Sequence, residues 1–214
     1  MNNQNKIAVI GGTGKSGKYL VKQLIHQGFH LKILVRNPEN HQLSHPLIEV
    51  VKGNVADYNS VKELISGCQA VISTLGLGIP PSGPTIFSQG TSNVIEAMKE
   101  LDVQRYIVAT GINVDTPFDT KSSKTAFATK WMRENYPIST ANRQLEHEFL
   151  VSSTIEWTLV RLPLIEQTDN KGLVKVSLVD CQGDKISTTD LAEFLIDQLS
   201  SKMYVKKAPF IWNL

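Results

Sequence analysis

The residues best suited to chemistry stand near the amino terminus, in the run Gly11-Gly12-Thr13-Gly14-Lys15-Ser16-Gly17. The run satisfies G-x-x-G-x-x-G from Gly11 and G-x-G-x-x-G from Gly12, and it follows the apolar stretch Ile7 to Ile10. Leu20, Val21, Leu24 and Ile25 then recur at the spacing of one helix face, so the glycines lie in a turn from a buried strand into a helix. Glycine is needed there because the turn is tight and a pyrophosphate must come close to the backbone, where the N–H groups that open the helix meet the anion. In this context the pattern predicts a dinucleotide site. A mononucleotide P-loop would need glycine five positions before Gly14, where Val9 stands, and no aspartate suited to magnesium ends a following strand.

Nineteen residues after Gly17, where an NAD-preferring site carries an acid for the ribose hydroxyls, stands Arg36. A guanidinium pairs with a 2′-phosphate and stacks on adenine, so the expected cofactor is NADP(H) in preference to NAD(H), with Lys15 adding to that preference. The competing reading of Arg36 is a solvated arginine after a strand.

These residues need a frame. Short apolar runs alternate with helical periodicity, the pattern of βαβ units around a parallel sheet. The strands are expected at Ile7–Ile10, Leu31–Val35, Ile48–Val51, Ala70–Leu75, Tyr106–Ala109 and Trp157–Val160. Gly28 ends the first helix, Asp57 or Asn59 caps a short one over 60–66, and Val94, Met98 and Leu101 mark a long one. The segment Gly76 to Thr85, rich in glycine and proline, is expected as an exposed loop at the carboxyl edge of the fourth strand, where open α/β sheets bind ligands. Further on, one helix is expected around Thr125 to Glu134 and another through Leu145, Phe149 and Leu150. A hairpin around Val174 to Ile186, a helix bearing Leu191, Phe194, Leu195 and Leu199, and a short strand near Phe210 complete the chain. The expected fold is α/β: a Rossmann-type doubly wound, mostly parallel sheet of order 3-2-1-4-5-6, with a small carboxyl-terminal addition over the cleft, all in one domain spanning 1–214.

Composition narrows the function classes. Lys plus Arg at 22 against Asp plus Glu at 20 leaves a net charge of +2, which is no nucleic-acid footprint. With 41% hydrophobic and 20% charged residues the chain can bury a core. Two cysteines without metal spacing, no long apolar run and no signal-peptide pattern predict a cytoplasmic protein that acts on a small molecule, without nucleic acid, membrane or metal.

With GGTGKSG, LVRNPE, GNVADY, AVISTLG, IEAMK, WTLVRLP and ISTTDLAEFL in view, the chain resembles the atypical short-chain dehydrogenase/reductases. Within them it is similar to the NmrA-like NAD(P)-binding group that includes biliverdin-IXβ reductase, also called flavin reductase. The resemblance assigns Gly11, Thr13, Gly14, Lys15, Ser16 and Gly17 to the pyrophosphate and Arg36 to the 2′-phosphate. It places Asn54 and Val55 against adenine, Leu75 and Gly76 on the ribose side, and Thr110 beside the nicotinamide. Gly111 stands where relatives carry serine, and Arg143 where many atypical members have lysine; Thr110 and Arg143 are the candidates for a catalytic role.

The ordinary members of the wider family use a Tyr-x-x-x-Lys pair, and the only such spacing here, Tyr58 to Lys62, falls on the adenine side and is read as coincidence. Without that base, hydride transfer to a flavin or quinone remains workable, because such acceptors take their proton from water. The resemblance therefore implies an NADPH-dependent reductase of a small planar acceptor, flavin or quinone first and a tetrapyrrole second. The alternative is a dinucleotide sensor that turns nothing over and signals to a protein partner.

Other residues carry less. Arg143 and His147 share one helix face, either solvated or turned to the cleft to bind an anionic acceptor. Trp157 and Trp212 read as packing, while Trp131 lies in a region that could cover the acceptor. His41 and His45 read as surface histidines, Asp190 with Ser187 as a helix cap, and Cys68 and Cys181 as unreactive.

Overall fold

The computed structural model describes residues 5–41, 43–77 and 82–214. Its strands are β1 (Lys6–Ile10), β2 (His30–Val35), β3 (Ile48–Lys52), β4 (Ala70–Ser73), β5 (Arg105–Gly111), β6 (Glu156–Leu162), β7 (Leu164–Glu166), β8 (Val174–Ser177), β9 (Lys185–Ser187) and β10 (Phe210–Asn213). The helices are α1 (Gly17–His26), α2 (Tyr58–Ile65), α3 (Ile86–Glu100), α4 (Ser123–Asn135), α5 (Pro137–Ser152) and α6 (Thr188–Asp197). The main sheet runs β3-β2-β1-β4-β5-β6-β10-β8. It is parallel throughout except for β8, which pairs antiparallel with β10. The Rossmann-type order expected from the apolar runs is thus present, and β10 and β8 continue the sheet beyond it. Of the proline-rich segment 76–85, residues 78–81 lie outside the described residues.

Burial explains the arrangement. Ile7, Ala8, Val9, Ile33, Val71, Ile72, Ile107 and Val108 are wholly inaccessible, as strands covered on both faces require. Alternate residues feed two cores. Ala8, Ile10, Val71, Tyr106 and Val108 pack beneath α2, α3 and α5, while Ile7, Val9, Ile72, Ile107 and Ala109 pack beneath α1 and α6.

Helix ends follow local chemistry in most places. The turn after α1 has Gly28 at φ +80°, with Phe29 N donating to Leu24 O and Gly28 N to Ile25 O, the double closure that a left-handed residue permits. Asp57, rather than Asn59, caps α2 by accepting from Ser60 N at 3.0 Å. Ser187 Oγ accepts from Asp190 N at 3.0 Å at the start of α6. The Asp190 carboxylate in turn accepts from Ser187 Oγ, Asn213 Nδ2 and Gly172 N, so the cap also ties down the end of β10. Helix α3 differs: Thr85 makes no side-chain cap, and Asn142 Oδ1 of α5 accepts from Phe87 N and Ser88 N instead. A cap contributes roughly 1 kcal/mol wherever its side chain comes from.

The hairpin expected around Val174 to Ile186 does not form. β8 pairs with β10, whereas β9 pairs in parallel with β7 in a separate two-stranded sheet. The connecting segment is held elsewhere: Thr125 Oγ1 of α4 donates to Cys181 O at 2.9 Å, and Gly183 lies so close to the Trp212 ring that a Cβ there would sit 2.0 Å from it. The carboxyl-terminal addition thereby splits, with β7 beside the cleft and β8 and β10 at the sheet edge. Among the described residues, no helix is long and apolar enough to cross a membrane.

Candidate functional site

The chain reverses its direction of winding between β1 and β4, and a cleft opens at the carboxyl ends of the strands there, as the topology of such sheets requires. Its volume is about 810 Å³, within the range of small-ligand sites. Gly11, Thr13, Gly14, Lys15, Ser16, Arg36, Asn54, Val55, Leu75, Gly76, Thr110 and Arg143 all line it. The sequence-derived site is therefore one continuous wall.

The glycine turn is built for close approach. Gly11 adopts φ +78°, and a Cβ on it would lie 2.8 Å from the carbonyl carbon and oxygen of Thr74 at the end of β4. Gly14 N closes the turn on Gly11 O at 2.9 Å. No side chain caps α1 and no acid stands in its first turn, which leaves the positive end of the helix open toward an anion. Gly17 is the exception among the expected contacts: it is buried and does not border the cleft. A Cβ on Gly17 would fall 2.0 Å from Gly11 O, so its identity serves the packing of helix start against turn.

Arg36 closes one end of the cleft, with Nη1 donating to Ser82 Oγ at 3.4 Å. Asn37, Asn40 and His41 extend the same wall through the single helical turn Pro38–Asn40. Asn37 and Asn40 follow Arg36 directly, and that closeness is the only sequence signal for them; His41, a surface histidine as expected, stands exposed at the rim of this wall. Asn54 Oδ1 accepts from Ala56 N at 3.1 Å, so its amide nitrogen is the group left for a base. No carboxylate occurs among the described lining residues, and the charged ones are Lys15, Arg36 and Arg143.

At the opposite end, Thr110 is 4% exposed and its hydroxyl has no partner among the described residues. A buried hydroxyl left without a partner costs stability. Gly111 lies beside it, and a Cβ there would meet Asn113 Oδ1 at 2.3 Å, so the serine of relatives finds its place occupied. Leu77, Ile86, Leu162, Pro163, Ile165 and Leu191 give this end its apolar wall.

The shared face of Arg143 and His147 is turned inward, which removes the solvated reading. Only Arg143 reaches the cleft; His147 rests edge-on against Trp157 at 5.9 Å, and burial lowers its pKa. The two do not form an anion site together, because β6 fills the space beside His147. Trp131 stands 45% exposed against Tyr136, away from the cleft wall, so it does not cover the acceptor end. Tyr58 Oη and Lys62 Nζ both donate to the Glu100 carboxylate, a bridge between α2 and α3, and neither lines the cleft. Burial pushes the thiols of Cys68 and Cys181 up to about 11, far from the thiolate a nucleophile needs.

A Rossmann-type sheet with an open helix amino terminus and a cationic cleft at its switch point defines a dinucleotide-binding protein. The chain belongs to the NAD(P)H-binding family, whose model matches residues 11–202. It is similar to cinnamoyl-CoA reductase 1 of Petunia hybrida, 26% identical over 202 residues that cover 88% of this chain and 58% of that one. It is similar also to phenylcoumaran benzylic ether reductase IRL1 of Ginkgo biloba, 33% identical over 138 residues that cover 59% and 42%. The chain thus spans less than two thirds of the length of these relatives. Among solved structures, a short-chain dehydrogenase/reductase of Veillonella parvula in complex with NADP superposes with a TM-score of 0.79 at 14% identity, covering 98% and 94%. The anaerobillin reductase ChuY of Escherichia coli O157:H7 gives 0.80 at 13% identity, covering 97% of each chain. At such identities these likenesses establish the fold alone.

Proposed function

We propose that this protein is a cytoplasmic NADPH-dependent reductase that passes a hydride to a small, planar, conjugated acceptor, a flavin or quinone first and a tetrapyrrole second. The observation that carries the reading is the cleft itself: its described wall holds three cations and no carboxylate, and it ends in a mixed polar and apolar compartment. A 2′-phosphate suits the wall around Lys15 and Arg36, where an acid would repel it. The turn Gly11 to Ser16 would hold the pyrophosphate, Asn54 and Val55 the adenine and Leu75 and Gly76 the ribose, and Thr110 would lie beside the nicotinamide.

The reduced nicotinamide, when bound, supplies the hydride. The chain's own residues orient and enclose: Leu162, Pro163, Ile165 and Leu191 offer an apolar wall against which a planar ring would pack. No tyrosine lies among the described lining residues, which favours acceptors whose proton comes from solvent. The acceptor is a free small molecule, and the reading requires no nucleic acid, membrane or metal.

The test is NADPH consumption by purified protein with a panel of flavins, quinones and biliverdin, run beside NADH. Saturable turnover with one acceptor and a preference for NADPH support the reading. Tight NADPH binding without turnover on any of them replaces it by the dinucleotide sensor, for which a protein partner would then be sought.

A further inference from the structure

The chain that leaves β3 forms a fixed turn on the cleft wall. Gly53 N donates to Val35 O at 3.0 Å, Asp57 N to Asn54 O at 2.9 Å and Ala56 N to Asn54 Oδ1 at 3.1 Å. The last two bonds close a backbone turn and its side-chain mimic on one residue. They also decide which way the Asn54 amide faces. A backbone N–H must meet an oxygen, and a flipped amide would set the Nδ2 protons against the Ala56 proton. Oδ1 therefore turns to Ala56, while Nδ2 keeps both protons unpartnered among the described residues, on a residue that is exposed and lines the cleft. The described wall holds no carboxylate that could accept from the amino group of a base instead.

We propose that Asn54 makes the base subsite a hydrogen-bond donor, so that it favours a 6-oxo purine over the 6-amino purine of NADPH. The proposal rests on the cofactor part of the reading above, which sets the base at Asn54 and Val55, and deepens it by naming what the subsite reads. In adenine the group at C6 is a donor and the ring nitrogens are acceptors; a 6-oxo purine replaces that donor by an acceptor oxygen beside N7. A donor on the protein therefore meets adenine only at a ring nitrogen and leaves the amino group to water, whereas it meets hypoxanthine at O6 as well. A carboxylate at the same position does the opposite: it accepts from the amino group and repels O6. NADPH still binds, and because Asn54 is exposed, water competes for the bond and the discrimination is a few-fold.

The test compares NADPH with reduced nicotinamide hypoxanthine dinucleotide phosphate, which differs from it only at the base. Both carry the same fluorescent dihydronicotinamide, so affinities are read by fluorescence titration with no acceptor present and no turnover. Wild type is expected to bind the hypoxanthine form about threefold more tightly. Asn54→Asp keeps the oxygen that Ala56 meets and turns the free donor into an acceptor, so the ratio should reverse to about tenfold in favour of NADPH. Its added charge opposes the phosphates of both dinucleotides alike and drops out of the ratio. Asn54→Ser can hold the turn through its hydroxyl and removes Nδ2, so the ratio should fall to about one.

A purely structural role for Asn54 changes both affinities together and leaves the ratio alone. Wild type that binds the two equally or favours NADPH, or a ratio that neither variant changes, overturns the donor subsite. Should Asn54→Asp fail to fold, Asn54→Ser still decides. Binding of both dinucleotides with the wrong ratio removes this base assignment and spares the reductase reading; binding of neither removes both.

Discussion

The two ends of the cleft are made in different ways. At one end the wall is two short local runs, Gly11 to Ser16 and Arg36 with Asn37 and Asn40, which offer the open amino terminus of α1 and a cation just after β2. At the other end, residues arrive from the chain just after β4 and from α3, β5, α5, β6, β7 and α6, elements far apart in the sequence. Anion binding by a helix terminus needs only a local conformation, and a local conformation needs only a local sequence. Shape and polarity for an acceptor need surfaces from elements far apart in the chain.

That contrast can be broken most forcefully at Asp119. Arg161 is wholly buried, stacked 3.5 Å from the Phe210 ring and paired with both Asp119 oxygens at 2.7 and 2.8 Å, which pins the chain after β5 to β6 and β10. Asp119→Ala strands a buried cation and is expected to cost roughly 3–5 kcal/mol, read by chemical denaturation. NADPH affinity of the protein that remains folded should stay within about threefold; a collapse of cofactor affinity would show that the two ends are one mechanical unit.

Arg36→Ala probes the phosphate end. Loss of charge-assisted hydrogen bonds to a 2′-phosphate should weaken NADPH about 10- to 100-fold and leave NADH nearly unchanged, by fluorescence titration. Equal losses for the two dinucleotides sink the assignment.

Gly17→Ala sharpens the distinction between lining and supporting residues. The added methyl meets Gly11 O, so about 1–3 kcal/mol of stability should go, together with affinity for NADPH and NADH alike. The smallest effect is expected at Tyr58→Phe, which removes one hydrogen bond to Glu100 on the surface. Turnover there should not change, and stability should fall only slightly, because solvent screens the contact. A large loss of turnover would reinstate Tyr58 and Lys62 as a catalytic pair.

Legibility followed the same divide. The apolar runs announced the strands from β1 to β6, most plainly β1, β4, β5 and β6, whose residues are nearly all buried, while the edge strand β3 is largely exposed; the helices announced themselves by periodicity. Asp57, Gly28 and the pair Ser187 and Asp190 acted as their types predict, since each needs partners only a few residues away. The failures were tertiary. Val174 to Ile186 alternates like a hairpin, but contacts to Trp212 and α4 direct its strands to separate sheets. Arg143 and His147 carry no local sign of burial, and only the packing of α5 against β5 and β6 turns them inward. The cap of α3 is an asparagine more than fifty residues further along the chain.

The sequence by itself determined the succession of strands through β6, the glycine turn and the family resemblance, because strand burial, helix period and phosphate-binding backbone geometry are all written in neighbouring residues. Only the tertiary structure decided that Gly17 supports rather than lines the cleft, that Arg143 alone of the pair with His147 reaches it, and that the Thr110 hydroxyl is buried with no partner among the described residues. Those outcomes depend on which distant surfaces meet, and close packing admits a single answer where local pattern admits several.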